Sequence, residues 1–550
     1  MKVRGFGSGS KQGQGALPPG PPPTDAPLDP HKSGSWSGRG NSPPLLVGLM
    51  RRTEAANFPS RSKTRVKGSK GEPLAGSRGS APGLTCFHSK PLSFFCLAML
   101  AGCMVGPDYH RPVLGVPAGY KEAAGWVKAG PADAAPKGDW WTVFGDAQLS
   151  ALEPRVAVDN ASLAADYDAV EQAQAMVREA QGGLFPTVGL TGSAAQAGQG
   201  RTEPTNSGTF EGDVSWTPDI WGKVRRQVQS QAAAAQVSAA DLDNARLSAQ
   251  AALAEDYVDL RNADASIALY QATVAAYQRS LQITQNQENV GVAAPSDVIT
   301  ARTQLEGAQA QLINAGAARA MYEHAIAVLV GRAPAELSLA AGPQIAVVPV
   351  APLGVPSTLL QRRPDIAAAE RAMAQENALI GVAVGAYYPD LDLTALGGFA
   401  ANPISGLFSA SNMLWSLGVD ASETLFEGGT RGAAVQAARF GYDESVQNYR
   451  QTVLSAFQDV EDDLSNLRIL AAQAQVEAQA VADAQREVQI TLNEYQAGTV
   501  NYTTVVTAQV TLLQDQQQAL TVQQDRLLAS IALFEDLGGG FNADQILVGR

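Results

Sequence analysis

Apolar residues in the second half of the chain recur at steps of three and four: Val446, Tyr449, Val453, Phe457, Val460, Leu464 and Leu467. That spacing keeps one face of a helix against its neighbours, as in a coiled coil. Residues 430–497 contain no proline, and neither do residues 223–289. Each stretch therefore predicts one uninterrupted helix, roughly 100 Å long at 1.5 Å per residue. Gly291 with Pro295, and Gly498, punctuate the turns after which new helices begin.

Elsewhere the period changes to two. In 210–217, Phe210, Val214 and Trp216 alternate with Glu211, Asp213, Ser215 and Thr217. In 412–421, Met413, Trp415, Leu417, Val419 and Ala421 alternate with Ser416, Gly418 and Asp420. TVGLTGSAA (187–195) and LDLTALGGF (391–399) alternate more weakly. Such strands fit either a half-buried soluble sheet or a membrane β-barrel with a wet interior. Periodicity alone does not separate the two.

The elements come in two copies, about 205 residues apart. FPTVGLTG (185–192) matches YPDLDLTA (388–395), and VGVAAPSDVITARTQL (290–305) matches AGTVNYTTVVTAQVTL (497–512). DIWGK (219–223) falls opposite TLFEGG (424–429). The interval is too long for a solenoid and predicts two tandem halves. Each half holds a helix, two strands, a very long helix, a sharp turn and another helix.

LSFFCLAMLAGCMVGPDYHRP (92–112) adds a location. Lys90, an apolar run to Ala101 and a small-residue ending before Cys103 form the layout of a secretory signal. The run is too short for a membrane-spanning helix, which needs about 20 residues. Leu100-Ala101-Gly102-Cys103 resembles a bacterial lipobox, in which Cys103 becomes the first mature residue and carries lipid. Met104 stands where an Asp would hold such a lipoprotein in the inner membrane, which favours the outer membrane. With a membrane location and only four strands per chain, a barrel needs several chains to close.

Charge divides the chain at the same place. Residues 1–102 carry 14 Lys and Arg against 4 Asp and Glu; residues 103–550 carry 26 against 49. The leader is rich in Gly, Pro, Ser and Arg and has no helical or strand period, the composition of a disordered segment. A signal must stand near the start of translation. The expected start is therefore just upstream of Lys90, with residues 1–89 outside the mature protein. A basic tail for nucleic acid or anionic membrane is the alternative. The acidic remainder argues against nucleic-acid binding.

Enzyme chemistry finds no support. Only His110 and His324 follow Cys103, and Cys103 is the last cysteine, so no disulfide forms within the mature chain. H-E-x-x-H, G-x-x-x-x-G-K-[ST] and G-x-S-x-G are absent. Met104, Met176, Met321, Met373 and Met413 are too scattered for a metal ladder. No cofactor beyond the lipid on Cys103 and no metal site is expected.

CMVGPDYHRP, WWTVFGDAQL (140–149), LLQRRPDIAAAERAMAQENALIGVAVGAYYPDLDL (359–393) and the two turn segments resemble the TolC-like outer-membrane efflux proteins, in the lipoprotein branch typified by OprM and NodT. The resemblance covers essentially all of 103–540. It implies a homotrimer whose chains each give four strands to a twelve-stranded barrel and long helices to an α-barrel across the periplasm. It implies docking to a periplasmic adaptor (a membrane fusion protein) and an inner-membrane resistance-nodulation-division pump, and passive conduction of small toxic compounds. A duct for protein or polysaccharide secretion with an ATP-driven transporter, and a pore-less coiled-coil adaptor, are the competing readings.

On this plan the chain divides into a leader (1–89), a lipoprotein signal (90–102), a lipid-anchored segment (103–145), a first repeat (146–333), a linker and equatorial region (334–364), a second repeat (365–540) and a tail (541–550). Gly291, Asp297, Gly498, Thr504 and Thr507 become candidates for the periplasmic tip and gate. The family pattern L-D-V-L-D-A falls on Thr503, Thr504, Val505, Val506, Thr507 and Ala508, so both acidic positions are threonine here. Asp297 is the nearest acid; its other reading is an N-cap. Arg362, Arg363 and Asp365 are read as orienting a helix start at Pro364. Glu461, Asp462 and Asp463 are read as a solvated face, with a pore-lining acidic band as the alternative.

Overall fold

The computed structural model describes residues 104–123, 139–201, 203–349 and 362–539. Cys103, the leader, the signal segment and the tail lie outside the described residues.

Helices α1 (Ala147–Asp159) and α2 (Ala161–Gly182) lead into strands β1 (Thr187–Ala197) and β2 (Thr205–Trp216). Helices α3 (Lys223–Asn289) and α4 (Pro295–Leu329) complete the first half. The second half runs α5 (Pro364–Gly385), β3 (Asp390–Ala401), β4 (Met413–Ser422), α6 (Thr430–Gln496) and α7 (Tyr502–Asp536). The lengths recur: α2 and α5 have 22 residues, α3 and α6 have 67, and α4 and α7 have 35. α5 begins one residue before the 365 boundary, because Pro364 takes the first helical position, where its missing N–H costs nothing.

Both long helices start from a glycine in the left-handed region, Gly222 (φ 80°) and Gly429 (φ 92°), with an acid upstream accepting from free N–H groups. Asp219 accepts from the backbone of Val224 and Arg225, each at 3.0 Å, and Glu427 from that of Arg431 at 2.9 Å. These contacts replace the bonds that a helix start cannot make internally. Helix packing concentrates around the middle of the long helices. Tyr257, Leu260, Ile326, Leu464, Leu527 and Ile531 are buried there with Trp140, Trp141 and Phe144. The Trp140 ring stacks on Phe534 at 5.8 Å. Tyr449, Val453, Val460, Leu464 and Leu467 of the expected stripe are buried, and Val446 and Phe457 pack against them.

The strands form one antiparallel sheet in the order β1-β2-β3-β4. β1 and β4 are its two edges, and α2, α3, α5 and α6 all attach at the same end of it.

Candidate functional site

The register gives the sheet two different faces. One row runs Val188, Val214, Ala395, Leu417; the next on that face runs Leu190, Gly212, Gly397, Trp415. Phe408, from the β3–β4 loop, sets its ring 5.6 Å from both Phe210 and Phe399 on the same face. The opposite face carries Thr187, Ser215, Thr394 and Gly418 in one row, with Glu211, Asp213, Asp390, Asp392 and Asp420 in others, interrupted by Leu396 and Leu414. The apolar side chains remain open: Trp415 is 71% exposed and Leu417 76%. A half-buried soluble sheet would cover them, because uncovered patches of this kind mark surfaces that meet lipid or protein.

The polar face has one sign. The four strands contain five carboxylates and no Lys or Arg. Asp392 and Asp420 stand directly opposite one another across β3 and β4. Like charges in that position destabilise a sheet, so folding alone gives no reason for the pair. Asp213 lies over Gly189, where an added Cβ would come within 2.5 Å of its carboxylate.

At the other end, the two turns share a geometry. Gly291 (φ 78°) and Gly498 (φ 76°) end α3 and α6 in the left-handed conformation that glycine adopts without strain. Val292 N–H donates to Gln287 C=O at 2.8 Å and Thr499 N–H to Glu494 C=O at 2.9 Å, the same closing bond in both. The next helix then starts differently. Asn501 caps α7, accepting from the Thr504 N–H at 3.1 Å and its hydroxyl at 3.0 Å. The Thr507 hydroxyl donates back to Thr503 C=O. Thr504 and Thr507 are exposed, with their hydroxyls tied to their own helix.

Asp297 is not an N-cap. Ala294 holds that position without a side-chain bond, because Pro295 fixes the first helical φ and starts α4 earlier. Asp297 falls in the first turn, where a carboxylate complements the helix dipole. It also faces the second turn. Tyr495 and Tyr502 pair there at 5.3 Å, and burial pushes the Tyr502 phenol up to about 12, with Asp297 contributing.

Arg363 does more than orient a helix start. Its guanidinium reaches Asp365 at 2.8 Å, Asp536 at 3.0 Å and Asp459 at 3.4 Å, joining α5, α6 and the end of α7. The solvated-face reading of 461–463 fails at two of its three residues. Glu461 accepts from the backbone of Lys121 and Glu122 at 2.7 and 2.8 Å. Asp463 is half-buried, and burial followed by nearby Asp536 pushes its carboxyl up to about 8. The cause is tertiary: α7 ends against this part of α6. Asp462 alone stays exposed.

Sequence reasoning missed the role of VGPDYHRP. Buried Arg226 of α3 donates to Val105 C=O at 3.0 Å, Gly106 C=O at 3.1 Å and Asp108 Oδ1 at 2.9 Å. Gly106 (φ 91°) presses on Gly381 of α5, where a Cβ would sit 2.5 Å from backbone. Tyr109 donates to Glu370 at 2.6 Å and Arg111 to the Tyr449 hydroxyl at 3.0 Å. The segment after Cys103 is thus a strap across α3, α5 and α6. Its density of Gly, Pro and polar residues was the only signal, and it names no partner.

Among the described residues no helix is long and apolar enough to cross a membrane, and no three His, Cys, Asp or Glu converge as a metal site.

Residues 154–332 and 355–539 match the family model described as outer membrane efflux protein. The probable efflux pump outer membrane protein TtgC of Pseudomonas putida is 29% identical over 458 residues, spanning 80% of this chain and 94% of its own. The cation efflux system protein CusC of Escherichia coli is 27% identical over 458 residues, 81% of this chain and 98% of its own. The solved outer-membrane channel OprN superposes with a TM-score of 0.74 at 26% identity, covering 80% of this chain and 99% of that one. These relatives are outer-membrane efflux and channel proteins, and the chain, like them, is not an enzyme. With the match running through both halves, the chain belongs to the outer membrane efflux protein family.

Proposed function

We propose that this protein is the outer-membrane channel of a tripartite efflux pump, conducting small toxic compounds passively from an inner-membrane pump and a periplasmic adaptor to the cell exterior. One observation carries the reading: an open-edged sheet, apolar on one face and acidic on the other, joined at one end to two 67-residue helices. Backbone that faces lipid must be fully hydrogen-bonded, so a spanning sheet must close on itself. Three copies give twelve strands, an even-numbered barrel with the acidic face inside. The helices, roughly 100 Å long, suit a conduit across the periplasm.

Cys103, carrying lipid, is a second anchor for each chain. A single acyl chain binds a membrane only marginally; the barrel is the main anchor. Relatives named for efflux of toluene, solvents and antibiotics favour small-molecule export with a resistance-nodulation-division pump over secretion with an ATP-driven transporter. The sheet speaks against a pore-less adaptor.

Two measurements test this. In planar bilayers the purified protein should form discrete, cation-preferring conductances, and joint Asp213→Asn, Asp392→Asn and Asp420→Asn changes should lower that preference. Crosslinking in intact cells, with mass spectrometry of the co-purified inner-membrane protein, should recover a resistance-nodulation-division pump with its adaptor. Recovery of an ATP-driven exporter moves the protein to secretion, and the absence of any conductance sinks the channel reading.

A further inference from the structure

The helix pairs of one chain, α3 with α4 and α6 with α7, do not close on each other evenly. On α3 the residues at steps of four, Ala272, Ala276 and Ser280, are small. They line a cleft of 330 Å³ between α3, α6 and α7, the size of a small-molecule site. Packed clusters lie on either side of it. Tyr277 meets Leu305 and Ala308 between α3 and α4, and Ala301 meets Tyr495, Tyr502 and Val505 nearer the turns. Protein interiors are otherwise close-packed; here the small side chains of α3 leave a gap that the larger ones opposite do not fill.

The walls are apolar: Leu269, Ile283, Val488, Leu492, Leu512 and Leu513. No Asp or Glu lines the cleft, and its one charged side chain, Arg279, is exposed. Among the buried polar side chains one atom stands apart. The Thr273 hydroxyl donates to Leu269 C=O at 2.9 Å, and the Tyr277 hydroxyl to Gln509 C=O at 3.4 Å. Gln509 is 5% exposed, and its Nε2 donates to the Ser280 hydroxyl at 2.8 Å. Its Oε1 is buried with no donor among the described residues. An amide oxygen shut away from water without a donor costs free energy, so native interiors rarely leave one. Packing alone gives no reason for an amide at this position.

We propose that this cleft binds a small neutral amphiphile, its apolar body against the leucines and its single hydroxyl on the Gln509 carboxamide. The lining selects that class. A cation finds no carboxylate there, and a purely apolar compound leaves Gln509 unpaired. A hydroxyl both donates and accepts, so it satisfies the free end of the amide in either orientation. The site is formed within one chain and does not depend on the channel reading. Ile283 lies eight residues before Gly291, so an occupant joins α3 to α6 and α7 roughly 12 Å from the turns.

Fluorescence of 1-naphthol with the full-length protein in detergent micelles tests this. In water the excited probe loses its hydroxyl proton and emits as naphtholate; held in a dry cleft it emits as the neutral form. Partitioning into micelles is common to all variants, so differences between variants read the cleft. The parent protein should show saturable neutral-form emission. Gln509→Met keeps the side-chain length and removes the amide. It should weaken 1-naphthol about tenfold, the size of one lost hydrogen bond, and leave the competing affinity of naphthalene unchanged. Ala276→Phe fills the cleft and should abolish binding of both. Should these variants fail to assemble, alkylation by N-ethylmaleimide in the Ala276→Cys protein should be slowed by 1-naphthol, and less by naphthalene.

Equal weakening of both compounds by Gln509→Met overturns the hydroxyl assignment. Tighter binding of 1-naphthoate than of 1-naphthol moves recognition to Arg279 and overturns the neutral class. Identical emission from the parent and Ala276→Phe proteins, or alkylation in the Ala276→Cys protein that 1-naphthol does not slow, overturns the site.

Discussion

Midway along the chain's long helices, each half is tied by a charge network, and the two networks are built differently. In the first, Arg261 and Arg319 share Asp264, at 2.8 and 2.7 Å, and Arg319 also holds Glu323 at 3.2 Å. Backbone groups complete the set: Gly342 N–H donates to Asp264 at 3.0 Å, and Ala340 C=O accepts from Arg261 at 2.9 Å. Two cations meet two carboxylates. In the second, Arg363 alone faces Asp365, Asp459 and Asp536, with Asp463 beside Asp536. One element plan is therefore secured once by balanced charge and once by an acidic excess that needs protons. Equal helix lengths do not imply equal chemistry at the joints.

The balanced network should break hardest. Asp264→Ala leaves buried Arg261 and its neighbour Arg319 without their shared anion, and removing one partner of a buried ion pair costs about 3–5 kcal/mol. Denaturant unfolding of the assembled protein measures it, and a loss near zero would contradict the network's place in the core. Arg363→Ala should cost less, because Asp459 is partly exposed, and its effect should depend on pH. The Arg363 cation opposes the rise of the Asp536 carboxyl, which burial pushes up to about 6. The loss should be largest above pH 8 and shrink near pH 5, as the aspartates regain protons. A pH-independent loss would refute the contrast between the two joints.

Asp463 gives the sign directly. Its folded value of about 8 lies above the unfolded carboxylate range near 4, so the folded state holds the extra proton between those limits. Stability from this site therefore falls as pH rises through that window and levels off above it. Asp463→Asn should flatten the fall in thermal midpoint between pH 5 and 8 and leave stability near pH 4 unchanged. An undiminished fall would assign the slope to other groups. Glu153, on α1 in the first half, is fully buried with neither oxygen partnered, and burial pushes it up to about 9. Its own loss should extend to higher pH than that of Asp463.

The smallest effect belongs to the turns. Asn501→Ala removes the α7 cap, worth about 1 kcal/mol, and hydrogen exchange over 502–508 should speed up locally. The first turn has no side-chain cap to lose, so Ala294 there sets the comparison's baseline.

Much of this was legible beforehand. A period of 3.5 residues without proline defines a long helix whatever surrounds it, and the α6 stripe is buried as its spacing required. Glycines at 291 and 498 announced turns because few other residues accept their φ. Alternation placed the four strands and their faces. The joints were not legible. Arg226 lies 118 residues from Asp108, Arg363 lies 96 from Asp459, and no local period links such residues. Asp463 looked like one acid among three on a polar helix face until the end of α7 covered it.

The sequence by itself determined the long helices, the strands and the turns between them, because those properties depend on neighbours within a few residues; that two helices, α1 and α2, precede the first strand pair and only α5 the second was not legible. Only the tertiary structure decided which charges are buried, which carboxyls keep their protons, and which edges and apolar faces a single chain leaves open. Those depend on surfaces brought together across the chain, where desolvation and pairing set the energy of every polar group.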